Sequence, residues 1–332
     1  MNSATSLPSA TTSTQRLVAL AAELKTIGYR LAAALVICVV LTAASDVFLT
    51  TNTLMNVLRQ ASLLFLLASG LTLVILTAGL DLSVGANIGM SACIAASVIK
   101  LTGSALLGAA TGVGVGLSIG LINGVLVALL RMPPFIATYG MLWVVHGVTY
   151  WFMAGTTIYG FPPEFRALGS GYFLGVPIPV YLMFVFLTLG TFFAQRTTYG
   201  QEIYAIGANR EAARLSGVPI AKRLILVYAV SGAMAGLASL VFLARMNSAE
   251  GDIGEAFTLP AIAAALIGGT SLFGGVGTVS GTLVGALILT LVLNGMNLLT
   301  IDASWQPLVT GVIVLLAVFF DTLTRKGAEA QK

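Results

Sequence analysis

Charge is what this chain has least of: acidic and basic residues together fill 8% of its 332 positions, against about 25% in soluble domains. A soluble fold of this length would lack the polar surface needed to cover its core, so that class is excluded. Lysine is confined to Lys25, Lys100, Lys222, Lys326 and Lys332, and none follows a glycine. There is thus no G-x-x-x-x-G-K-[ST] phosphate loop, and the chain cannot be its own ATP motor. The single histidine, His146, has no carboxylate or serine beside it in sequence, so no catalytic residue and no enzyme activity is expected. Cys38 and Cys93 both fall in apolar runs, where they read as small hydrophobes rather than as a disulfide, redox or metal site.

What is present in quantity is apolar surface. Hydrophobic residues make up 58% of the chain and mean hydropathy is +0.99, which indicates an all-α, polytopic integral membrane protein. Residues 1–15 are rich in Ser, Thr, Ala and Pro and read as a disordered tail. The first apolar run, 27–47, is too long and too far from the start for a cleaved signal, so it reads as a span. Further spans are expected at 62–78, 84–101, 105–130, 135–153, 177–193, 224–244, 257–273, 275–299 and 305–320. That makes about ten helices, several of them short for a bilayer that needs about 20 residues. The domain boundaries follow: a tail over 1–26, a transmembrane domain over 27–323 with a polar loop at 196–223, and a second tail over 324–332.

With both termini inside, Arg16, Lys25, Arg30, Arg131, Arg196, Arg210, Arg214, Lys222, Arg223, Arg325, Lys326 and Lys332 lie on the cytoplasmic side. Only Arg59, Lys100, Arg166 and Arg245 lie outside. This split obeys the positive-inside rule. Glycine recurs every four residues at Gly112, Gly116, Gly120 and Gly124, and again at Gly277, Gly281 and Gly285. Such ladders let helices pack backbone to backbone. Their offset, near half the chain and five spans, suggests two halves related as an inverted repeat. A competing pairing sets Gly79, Leu82 and Gly85 against Gly269, Leu272 and Gly275.

The most informative stretch is the polar island 199–223, Y-G-Q-E-I-Y-A-I-G-A-N-R-E-A-A-R-L-S-G-V-P-I-A-K-R. Asn209 suits an N-cap, and Glu211 sits where the helix dipole favours an anion. Ala212, Ala213 and Leu215 favour helix, Gly217 supplies a left-handed C-terminal cap, and Pro219 forbids continuation. A helix of about two turns is expected. It either closes an ordinary loop or presents a rigid surface to a soluble partner.

The stretch I-G-A-N-R-E-A-A-R-L-S-G-V, 206–218, resembles the cytoplasmic coupling motif of ABC importer permeases of the ribose, xylose and arabinose type. G-L-D-L-S-V-G at 79–85 and L-I-G-G-T-S-L-F-G at 266–274 resemble the same family, with Asp81, Ser83, Gly85, Gly269 and Gly274 in the matching segments. Similarity in register runs from about residue 50 to the C-terminus. The resemblance implies a bacterial inner-membrane permease paired with itself or a sister permease. It also implies a periplasmic sugar-binding protein and ATPase subunits, which hold the ATP and Mg; no cofactor belongs to this chain. No nucleic-acid partner is implied. Asn209, Arg210, Glu211, Ala212, Ala213, Arg214, Leu215 and Gly217 would form the contact with the ATPase. Pentoses, hexoses, polyols and furanosyl signalling molecules are all carried by similar permeases.

Asp81 is either a coupling group for protons or cations, which would suit an ion-coupled transporter working alone, or with Ser83 a cap of the third span. His146 could titrate or donate to a substrate hydroxyl, or be a packed residue; the family commonly carries a basic residue near here, so this position departs from it. Asn87, Asn123, Asn294 and Asn297 could line a sugar path with Trp143, Tyr150 and Trp151. Equally, the amides could bond between helices and the rings could form an interfacial belt. The outer loops 154–176 and 245–256 could dock a binding protein or be solvated faces.

Overall fold

The computed structural model describes the backbone of residues 13–329 and the side chains of residues 28–323. Among the described residues the helices are α1 (Ser13–Ala44), α2 (Thr51–Leu76), α3 (Val84–Thr102), α4 (Ala105–Ala128), α5 (Pro134–Met153), α6 (Pro163–Ser170) and α7 (Ile178–Arg196). They continue as α8 (Thr198–Ala208), α9 (Arg210–Leu215), α10 (Ile220–Met246), α11 (Thr258–Ile267), α12 (Val279–Leu298) and α13 (Gln306–Glu329). Four two-residue strands form two antiparallel pairs, β1 (Ile158–Tyr159) with β4 (Ser248–Ala249) and β2 (Tyr172–Phe173) with β3 (Val176–Pro177).

Among the described residues, seven helical segments are long and apolar enough to cross a membrane: Thr51–Leu76, Val84–Thr102, Ala105–Ala128, Ile178–Arg196, Ile220–Met246, Val279–Leu298 and Ala303–Leu323. The other three expected spans match helices that fall short on one criterion. The described apolar part of α1, Gly28–Ala44, and the segment Glu255–Ile267 are short. α5 has the length and no charge, but its Tyr, Trp, His and Thr residues depress its hydropathy. Of the expected tail 1–26, residues 1–12 lie outside the described residues, and α1 already begins at Ser13. The run L-V-A-L-A-A-E-L-K consists almost wholly of good helix formers, which explains the early start.

α13 runs on to Glu329, past the expected end at 320 and into the expected tail 324–332, and two further span boundaries need correction. α2 begins at Thr51, well before the expected residue 62, because Thr50 Oγ1 caps the Thr53 N–H and the helix carries Arg59 and Gln60 within it. α11 stops at Ile267 instead of reaching 273. There Gly268 is the cap and Gly269 enters the left-handed region at φ 83°, which ends the helix in a turn closed by Thr270 N–H on the Ala265 carbonyl.

α2 is buried on all sides from Ala61 to Leu76, and α10 nearly so, as expected of helices apolar all round. They form the centre, with α4 packed on α10 and α12 packed on α2. The first glycine ladder is the α4–α10 seam. A Cβ added at Gly116 would stand 2.9 Å from Gly236 Cα, and one at Gly120 3.0 Å from Gly232 Cα. The second ladder is shorter than expected, since Gly277 lies in the loop before α12 with φ 147°. Gly281 and Gly285 face the Ala264–Gly268 backbone. Gly85 abuts Gly254, whose carbonyl would lie 2.7 Å from an added Cβ, so the N-terminal ends of α3 and α11 meet.

Candidate functional site

α9 has the expected construction. Asn209 holds extended backbone, and its Oδ1 accepts from Ala212 N–H at 3.0 Å. At the other end Gly217 adopts φ 83°, while Gly217 N–H and Val218 N–H donate to the carbonyls of Arg214 and Ala213. Glu211 receives two bonds from the Arg214 guanidinium, at 3.0 and 2.6 Å. That pairing holds the Glu211 carboxyl below its ordinary range and the Arg214 guanidinium above its own. Ala213 is the buried residue of the helix; Arg210, Glu211, Arg214 and Leu215 are exposed, Leu215 at 75%. A groove of ≈ 800 Å³ separates α9 from the turn before α5, and Arg131, Pro133, Arg210, Glu211 and Arg214 are among its lining.

α9 is rigidly seated because α8, a helix the glycine-rich sequence disguised, lies directly before it. Thr197 Oγ1 caps α8 by accepting from Gly200 N–H at 3.1 Å. Glu202 pairs with Arg223 of α10, whose guanidinium also sits 4.2 Å over the Tyr199 ring. Tyr204 donates its hydroxyl to the Gly277 carbonyl at 2.7 Å. At Gly207 there is no room for a Cβ, because the Leu76 carbonyl and the Gly275 amide occupy that space. Gly275 N–H donates to Leu76 O at 2.9 Å, and an added Cβ at Gly274, φ 82°, would meet Ala78 N at 2.7 Å. Arg30 of α1 donates to the Gly268 carbonyl at 2.5 Å, and Ser271 to Asp321 of α13 at 2.9 Å. The loop between α11 and α12 is therefore a junction where α1, α2, α8 and α13 converge.

A family model described as branched-chain amino acid transport system / permease component matches residues 53–318. The chain belongs to this permease family. It is similar to the ribose import permease protein RbsC of Escherichia coli (strain K12), 41% identical over 295 residues, 88% of this chain and 92% of that protein. It is 38% identical over 201 residues to the ribose import permease protein RbsC of Bacillus subtilis (strain 168), a match covering 60% of this chain and 62% of that relative's length. It is also 45% identical over 152 residues to the xylose transport system permease protein XylH of E. coli (strain K12), 46% of this chain and 39% of that protein. No solved structure matches the chain.

In this permease Asp81 does not cap α3, and among the described residues it meets no cation. Ser83 is the N-cap residue and makes no side-chain cap bond. Instead Asp81, 1% exposed, accepts from Ser83 N–H and Oγ at 3.1 and 2.7 Å, from Asn123 Nδ2 at 3.4 Å and from Ser231 Oγ at 3.1 Å. All its donors are neutral, and together they tie the 77–83 segment to α4 and α10. Asn123 also donates to Ser83 Oγ at 2.7 Å, and Asn87 donates to the Gly116 carbonyl at 3.2 Å. These two amides are thus interhelical ties.

The residues expected along a sugar path are spread over four helices: Asn87 on α3, Asn123 on α4, Trp143, His146, Tyr150 and Trp151 on α5, and Asn294 and Asn297 on α12. Trp143 and His146 belong to a row of rings on α5, Phe135–Tyr139–Trp143–His146–Tyr150, with successive centroids 5.9, 6.4, 5.8 and 4.5 Å apart. His146 Nδ1 lies 2.6 Å from Glu255 Oε1 without the alignment of a hydrogen bond, an ion pair when the imidazole is protonated. Asn294 is on α12, buried, its Oδ1 without a hydrogen-bond partner among the described residues. Sequence reasoning passed over Gln60 and Gln306, although an amide inside an apolar run was a readable signal.

Proposed function

We propose that this chain is the membrane permease subunit of an ABC importer for a neutral monosaccharide, ribose or a similar pentose. It resides in the bacterial inner membrane with both termini cytoplasmic. The observation that carries this reading is α9: a helix of 6 residues, capped at both ends, with its charged face and Leu215 turned to solvent. Helices this short are marginal alone, so one held so rigidly is suited to seat in a cleft of another protein. The relatives are a ribose import permease and a xylose transport permease, which supports the substrate class.

ATP and Mg belong to the partner ATPase. Its closure pushes α9, and the push passes through Asn209 into α8. From α8 it reaches the α11–α12 loop through Tyr204 and Gly207, and α2 through the Leu76 carbonyl. A second permease copy or paralogue completes the membrane unit, and a periplasmic binding protein delivers sugar to the opposite end. Ten helices, α1–α5, α7 and α10–α13, cross the bilayer in two inverted halves. The reciprocal packing of α4 on α10 and α12 on α2, with Thr72 and Thr282 hydroxyls 2.7 Å apart, supports that symmetry.

The test is co-purification with the ATPase subunit. Leu215→Asp is expected to insert into the membrane and fold as the wild type does, because the side chain is exposed, yet to lose the ATPase. Retention of the ATPase by this variant would remove α9 from the interface.

A further inference from the structure

At the end of the bundle opposite α9, a cavity of ≈ 780 Å³ opens between α2, α10, α12, α13 and the N-terminal end of α11. Its size falls in the range of about 300–1,000 Å³ typical of small-molecule sites. Its polar lining comes from five elements: Gln60 of α2, Arg245 of α10, Glu255 just before α11, Thr290 and Asn297 of α12, and Gln306 and Thr310 of α13. Charged and amide side chains facing lipid would be costly, so a crevice lined this way holds water or a polar ligand. Arg245 and Glu255 bring one charge of each sign to the lining, and Glu255 also stands 2.6 Å from His146. Thr290 and Thr310 are each 3% exposed and line the cavity, yet neither hydroxyl has a hydrogen-bond partner among the described residues. Hydroxyls that face the cavity without a protein partner can donate to and accept from a ligand hydroxyl.

The amides are prearranged as well. Gln306 Nε2 donates to Asn297 Oδ1 at 2.9 Å, which fixes both side chains and leaves the Asn297 amino group and the Gln306 carbonyl for a ligand. Phe242 and Phe257, edge to face at 5.2 Å, supply apolar surface in the same lining. Paired amides, open hydroxyls and aromatic rings match a molecule with hydroxyl edges and C–H faces.

We infer that this cavity is a binding site for a neutral monosaccharide within the permease itself, entered from the end opposite α9. The inference rests on the sugar-import reading above. The site would receive sugar from the binding protein before the junction beneath it rearranges.

The test uses the permease–ATPase complex in proteoliposomes with its binding protein, and D-ribose and D-xylose as probes, measured by uptake and by equilibrium binding to the purified complex. Thr290→Val with Thr310→Val changes shape little and is expected to weaken binding about tenfold and lower uptake at limiting sugar, with the ATPase still co-purifying. Leu293→Trp, which fills the cavity from α12, is expected to abolish both. If the wild type takes up sugar and all these variants match it, the cavity is not the site and the import reading stands. If the wild type takes up neither sugar in the presence of ATP, the import reading falls and this inference with it.

Discussion

Gly120→Leu is expected to leave almost no folded permease in the membrane. A Cβ at this position overlaps the Tyr228 carbonyl and reaches 3.0 Å from Gly232 Cα, and both obstacles are backbone of α10. Side chains can rotate out of the way of an intruder; a buried helix backbone cannot. Overpacking in cores costs about 1–3 kcal/mol where neighbours can shift. Here α4 must separate from α10 along a seam that also includes Gly116 and Gly236, so the loss is expected at about 3 kcal/mol or more. Gly114 lies on the same helix with nothing within 4 Å, and Gly114→Leu is the control. The fraction recovered monodisperse from detergent should collapse for the first variant and stay at wild-type level for the second.

The second large effect is expected at Asp81. Asp81→Leu removes the acceptor shared by Ser83, Asn123 and Ser231 and strands buried donors from three elements. Each unsatisfied buried group costs about 1–3 kcal/mol, so thermal stability should fall steeply. Asp81→Asn keeps one acceptor oxygen and should fall less. The Asn variant also separates this structural role from ion coupling. As a tie, it should retain ATP-driven transport in proportion to the folded fraction; as a coupling group, it should lose transport while remaining folded.

α9 was legible because its determinants are local: a cap at Asn209, helix formers after it, then Gly217 and Pro219 within ten residues. Most spans were legible from hydropathy, which is also a local sum. What escaped was set by tertiary contact. α8 contains Gly200 and Gly207 in a sequence that does not read as helix, and it is held by burial of Ile203 and Ile206 and by the Glu202–Arg223 pair. Asp81 reads from the sequence either as a coupling group or, with Ser83, as a cap, whereas the bonds that decide its role include ones from residues 42 and 150 positions away. The cavity opposite α9 draws its polar groups from five elements, and no window along the chain contains more than a few of them. Asn87 and Asn123 could be recognised as buried amides but not assigned, since bonding between helices and lining a path require the same residue type.

The central claim is that this permease moves sugar by coupling to an ATPase through α9, and the most direct measurement is radiolabelled ribose or xylose uptake into proteoliposomes. The vesicles contain the permease with its ATPase and binding protein. ATP inside or an imposed proton or sodium gradient is supplied separately. Accumulation is expected with ATP alone, and its loss is expected in Leu215→Asp. Uptake that follows an ion gradient without ATP, or that survives Leu215→Asp unchanged, would contradict it.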